Sequence, residues 1–126
     1  MTGELLDIGF GRLDNERLKC LSDALGLESG FGQSSEFEQL PDVTVTIGEV
    51  ILSNATVGCY PFQGAKDLEI SINHPETEDG IRQLGRAVRA LASDIAIQTW
   101  KVGIEPLDDE ATLYISNFGR GPIWPS

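Results

Sequence analysis

Val43, Val45 and Ile47, and again Leu68, Ile70 and Ile72, alternate with polar residues, whereas Ile81, Leu84, Val88, Leu91 and Ile95 recur at spacings of three and four. The first period sets one face of a strand on a core, and the second sets one stripe of a helix there. A chain that moves from one to the other predicts an antiparallel meander followed by a helix lying on it.

The residues between these stretches supply the punctuation. Gly48-Glu49, with glycine first, reads as a two-residue hairpin turn before Val50-Ile51-Leu52. A second turn is expected at Ser53-Asn54-Ala55, a strand at 56–60, and a loop from Pro61 to Lys66. Pro75 opens the second helix, with Glu76, Glu78 and Asp79 in its first turn, and Gly85 lets that helix approach a neighbour closely. Upstream, Asp14 caps a helix over 14–25 whose apolar face is Leu18, Leu21 and Leu25, and Gly26-Leu27 ends it as a Schellman stop. Leu5, Leu6, Ile8 and Phe10 form a strand or extended arm broken by Gly9 and Gly11, and residues 28–42 have loop composition. Ile95 to Ile104 and Thr112 to Ser116 read as two strands joined across 105–109.

The expected fold is therefore α+β: a mainly antiparallel sheet of five or six strands with two helices packed on it, in the order α-β-β-β-α-β-β, as a single domain over 1–126. This order resembles that of small acidic type III secretion chaperones, whose fold adds a closing C-terminal helix. Gly121-Pro122-Ile123-Trp124-Pro125 cannot supply that helix.

Charge narrows the function. Twenty Asp and Glu stand against nine Lys and Arg, a formal net charge of −11 on 126 residues. A field of that sign attracts cations and repels phosphate backbones, so a basic protein partner is expected and nucleic acid is not. Two acidic segments stand out: Glu36, Glu38 and Asp42 within a stretch that holds no base between Lys19 and Lys66, and Glu105, Asp108, Asp109 and Glu110 around one turn. If they share an end of the sheet, they form one surface for the partner. Arg82, Arg86 and Arg89 align along the second helix and read as a solvated face, Glu78 lying four residues before Arg82.

Nothing in the pattern points to catalysis. His74 is the one histidine and reads as a capping or surface residue, because no nucleophile is marked to work with it. Cys20, Cys59 and His74 are too scattered for a metal site, and no cofactor is implied. The opening Met1-Thr2-Gly3-Glu4 lacks a secretory pattern and no run of 18 apolar residues occurs, so a cytoplasmic protein with free thiols and no membrane contact is expected. Phe10-Gly11-Arg12, Phe118-Gly119-Arg120 and the near copy Phe31-Gly32-Gln33 read as turns with a Phe packed on the core. The leading expectation is a non-enzymatic inhibitor or immunity-type protein that neutralises a basic partner, a toxin or nucleic-acid-handling complex. The alternatives are a homo-oligomeric or secretion-chaperone-like subunit, a homodimer among them, and a small anionic ligand-binding protein that uses the Phe-Gly-Arg pairs.

Overall fold

A computed structural model describes residues 4–105, 107 and 109–125. The elements run β1 (Leu5–Leu13), α1 (Asn15–Leu25), β2 (Glu38–Ile47), β3 (Val50–Phe62), β4 (Ala65–Asn73), α2 (Glu78–Ile95), β5 (Thr99–Ile104), β6 (Leu113–Ser116) and β7 (Gly119–Arg120). The strands form one sheet in the order β2-β3-β4-β1-β5-β6-β7, with every neighbouring pair antiparallel. The α+β class, the two helices and the antiparallel meander stand; the sheet has seven strands rather than five or six.

The opening segment is a strand, and it lies in the middle of the sheet. Phe10 is level with Leu68 of β4 and Trp100 of β5, and Ile8 with Ile70 and Val102. These side chains, with Leu6, are buried in one core with Leu18, Leu21 and Leu25 of α1 and Leu84 and Val88 of α2. Gly9 and Gly11 do not break β1; they occupy its other phase, facing away from the helices.

Both helices end as their chemistry dictates. The Asp14 carboxylate accepts from the Arg17 N–H at 2.8 Å, and the Leu27 N–H donates to the Ser22 carbonyl at 3.0 Å, closing the Schellman motif. The second helix starts three residues after Pro75, where Thr77 Oγ1 accepts the Gly80 N–H at 3.0 Å. Its far end is Ala96, in the left-handed region at φ 62°, and the Ala96 carbonyl accepts from Arg17 Nε at 3.0 Å, tying α2 to α1. A Cβ on Gly85 would stand 2.7 Å from the Trp124 ring, so the close approach this glycine permits is to the C-terminal segment. Leu91 is only half-buried, and so is Arg82.

Three local expectations are corrected. There is no turn at 53–55: β3 runs unbroken from Val50 to Phe62, and Asn54 (φ 56°) sits at one register shift of the β2–β3 pair while Asp42 (φ 53°) of β2 sits at the other. Asn and Asp tolerate the left-handed region, so each bulges its strand instead of reversing it. Pro61 to Lys66 is not a loop but a tight hairpin, Phe62 facing Ala65 across Gln63 (φ 49°) and Gly64 (φ 81°). The 28–42 loop ends early, because Glu38 to Leu40 already pair with β3; Pro41 is tolerated at the register shift that follows since β2 is an edge strand. Of the Phe-Gly segments, Phe31 packs from a turn onto the core, Phe10 is buried from within a strand, and Phe118 is 95% exposed at the β6–β7 turn. Among the described residues no helix is long and apolar enough to cross a membrane.

Leu84 lies at the centre of the face that α2 buries. Leu84→Ala should cost about 2–5 kcal/mol as a cavity in a close-packed core. Urea denaturation reads this directly, and an unchanged midpoint would mean that α2 contributes little to the core.

Candidate functional site

With both helices packed on one face, the other face of the sheet is left to its outward phase. Across the middle of the sheet that phase reads Gly58, Glu69, Gly9, Lys101 and Ser116, and one step toward the β1 start it reads Thr56, Ser71, Asp7 and Gly103. Glycines make this floor flat: Tyr60 lies along Gly58, and Leu107 packs on Gly9, where a Cβ would meet it at 3.0 Å. Beside that contact is a shallow groove of about 240 Å³, floored by Gly9 and Gly11 and walled by Phe62, Asp67, Glu69 and Lys101.

The carboxylates here are under-compensated. Asp7 is 6% exposed and accepts a 2.7 Å hydrogen bond from Ser71 Oγ. Burial pushes its pKa above the ordinary carboxylate value, the Ser71 bond opposing only part of the shift. Glu69 is raised as well, by burial first and then by the charge on Asp7, with Lys101 acting the other way. The Tyr60 phenol is pushed up by burial and by Glu69 and Asp7. Asp67 is held in place, its Oδ1 accepting the Arg12 N–H at 2.9 Å. Next to these acids three aromatics face solvent: Phe62 at 62% exposure, and Phe37 and Tyr60, whose rings stack 4.8 Å apart. An apolar ring beside a carboxylate is the setting that takes up a Lys or Arg side chain, the ring receiving the stem or the cation face and the carboxylate the charge.

The acids singled out in the sequence lie elsewhere. Glu38 is level with Cys59 and Phe10, near one end of the strands, while the Glu105 N–H donates to the Leu5 carbonyl at the other end. Five residues along and four strands across separate them by roughly 17 Å and 19 Å. The two segments therefore do not form one surface. Glu38 accepts the Ser34 N–H at 3.1 Å, and Asp109 caps a short 3₁₀ turn through the Ala111 N–H at 3.0 Å. Glu36, Asp42, Glu105 and Glu110 are exposed, and Asp108 lies outside the described residues. The stretch without bases is served in space by Lys66, whose ammonium donates to the carbonyls of Gly32 and Ser34.

His74 links two elements, Nδ1 donating to the Pro75 carbonyl at 2.7 Å and Nε2 accepting from the Tyr114 hydroxyl at 2.6 Å. Among the described residues no three His, Cys, Asp or Glu side chains converge as metal ligands. The open-face acids escaped the sequence reading because they form no run. Their signal was the alternation itself, which places Asp67, Glu69 and Ser71 opposite to Leu68, Ile70 and Ile72.

No protein-family model matches the chain, and no curated protein sequence matches it. In fold it is similar to a chain of the 1.75 Å crystal structure of the toxic C-terminal tip of CdiA from Pseudomonas aeruginosa in complex with immune protein. The TM-score is 0.70 at 14% identity, over 95% of this chain and 98% of that one. At that identity the likeness is one of fold.

Because the folded protein holds a proton on Asp7 more tightly than the unfolded chain does, this group lowers stability as pH rises from acid to neutral. Asp7→Asn keeps an acceptor for Ser71 and removes the charge, so it should raise the denaturation midpoint at neutral pH. The gain should disappear below the ordinary carboxylate value of 3.8, where Asp7 is protonated in both states. A midpoint at neutral pH equal to that of the unaltered protein would mean that Ser71 fully offsets the buried charge.

Proposed function

We propose that the protein is an immunity-type inhibitor that neutralises a basic, toxic protein partner by covering it with the open face of the sheet. The observation that carries this reading is the pairing, on one flat face, of carboxylates held above their ordinary pKa with exposed aromatic rings. Carboxylates that destabilise the free protein are the ones a partner's cations relieve on binding. The fold likeness to a chain from a complex of a toxic tip with immune protein supports the same class.

In this reading Glu69, Asp67 and Asp7 receive guanidinium or ammonium groups, and Phe62, Tyr60 and Phe37 bury against their stems. Glu36, Glu38 and Asp42 at one end and Glu105, Asp108, Asp109 and Glu110 at the other act as rim charges. Rim charges speed encounter more than they hold the complex. Inhibition follows from occlusion and needs no catalytic group, and the protein works in the cytoplasm, where its partner would do harm. A second copy is the competing occupant for a different surface, the hollow between Gly48–Ile51 and α2, where Ile51 is 69% exposed.

The test begins with capture of partners from the native host at about 50 mM salt, where exposed charges act over more than 10 Å. The captured protein should arrest growth when expressed alone and be relieved by co-expression of the unaltered chain. Phe62→Ser combined with Glu69→Gln should lose that protection while melting within a few degrees of the original. Raising salt to about 0.5 M should slow association several-fold. Full protection by the double variant, or a flat salt response, would remove this face from the interface. Light scattering that shows a dimer broken by Ile51→Glu would favour the self-association reading instead.

A further inference from the structure

On the helix side of the sheet, four of the nine basic side chains gather around one cavity of about 370 Å³: Arg82, Arg86 and Arg89 of α2 and Arg120 of β7. Its remaining wall is Ile115 and the C-terminal segment with Trp124. Arg82 is oriented by the Pro125 carbonyl at 3.3 Å and lies 4.0 Å from the Glu78 carboxylate. The Arg120 guanidinium sits 5.7 Å from the centroid of the Trp124 ring. Among the described residues, Arg86, Arg89 and Arg120 pair with no carboxylate.

That is an unusual distribution for a chain with twenty acids. Acids outnumber bases about two to one, so a solvated face would offer each arginine a nearby carboxylate, and the i,i+4 explanation from Glu78 covers Arg82 alone. Like charges crowded around a hollow repel one another until an anion enters. Guanidinium forks suit the oxygens of phosphate, and several of them suit an ion that carries more than one charge. The net charge of −11 does not forbid it. Screening limits distant acids to about 8–10 Å at physiological salt, and the open-face carboxylates lie across the sheet from this cavity. The volume is at the small end of ligand pockets, which run from about 300 to 1,000 Å³. A nucleic-acid backbone would have to continue from it over acidic surface, whereas a compact ligand would not.

We infer that this cavity binds the oligophosphate group of a small molecule. The site is separate from the open face and stands whether or not the inhibitor reading does. Sodium triphosphate and ADP, each titrated calorimetrically into the full chain at constant ionic strength, distinguish a free oligophosphate from a nucleotide. Saturable binding at one site is expected. Arg86→Gln combined with Arg89→Gln should weaken it by at least about tenfold, while Lys19→Gln, which removes one charge from α1, should leave it unchanged. Tighter binding of ADP would put the base against Trp124; tighter binding of triphosphate would assign the phosphates alone, and both support the site. Arg120→Gln, on the edge strand, provides a second test should the helix variant fold poorly. Heat that never saturates, or an equal loss in Lys19→Gln, would overturn the inference.

Discussion

The two-residue period of β1 is the constraint on which the rest of the molecule depends. This strand is paired on both sides, so each of its faces must be acceptable to β4 and to β5 at once. Its inner phase, Leu6, Ile8 and Phe10, is wholly apolar and meets both helices through the core. Its outer phase, Asp7, Gly9 and Gly11, is small and polar. A slip of one residue would carry Asp7 into the core and Phe10 onto the open face, so the burial of three large side chains also decides where the carboxylate stands.

The acidity of the chain is organised by that same division. Outward positions of β1 and β4 concentrate Asp7, Asp67 and Glu69 on the bare face of the sheet, and four arginines collect on the helix side. Net charge alone describes neither surface. A protein whose acids were merely dispersed for solubility would not bury Asp7, nor raise Glu69 by partly burying it and setting it beside Asp7, because both arrangements cost stability. The open face is also flat, since four glycines take positions where side chains would otherwise stand, and flatness suits it to a folded partner more than to a small ligand.

Much of the fold was legible because its signals are local. Asp14, the leucine spacing and Gly26-Leu27 delimit α1 within one residue, and Gly48-Glu49 marks its hairpin. What escaped was either ambiguous or non-local. Asn54 and Gln63-Gly64 all carry positive φ, yet one bulges a strand and the other reverses it, and the difference lies in the facing strand. A two-residue strand such as β7 leaves no periodicity to read. That β1 is central follows from pairings with residues more than 50 positions away. The candidate surface was missed for a related reason: runs of acids in turns attract attention, but acids on alternate strand positions become neighbours only when strands from different parts of the chain are laid side by side.

The placement of β1 between β4 and β5 also bears on how the chain comes off the ribosome. β1 is made before either of its partners, and the second of them is completed only at Ile104, after β2, β3, β4 and both helices. Until then one edge of the nascent sheet presents Leu6, Ile8 and Phe10 with unpaired backbone groups, the kind of edge on which chains aggregate. The Asp7 charge on that strand, with Asp67 and Glu69 on its first partner, sets like charges against like wherever two unfinished chains meet edge to edge. Carboxylates that weaken the finished fold would thus act as gatekeepers during synthesis, keeping incomplete copies apart until β5 arrives to close the sheet.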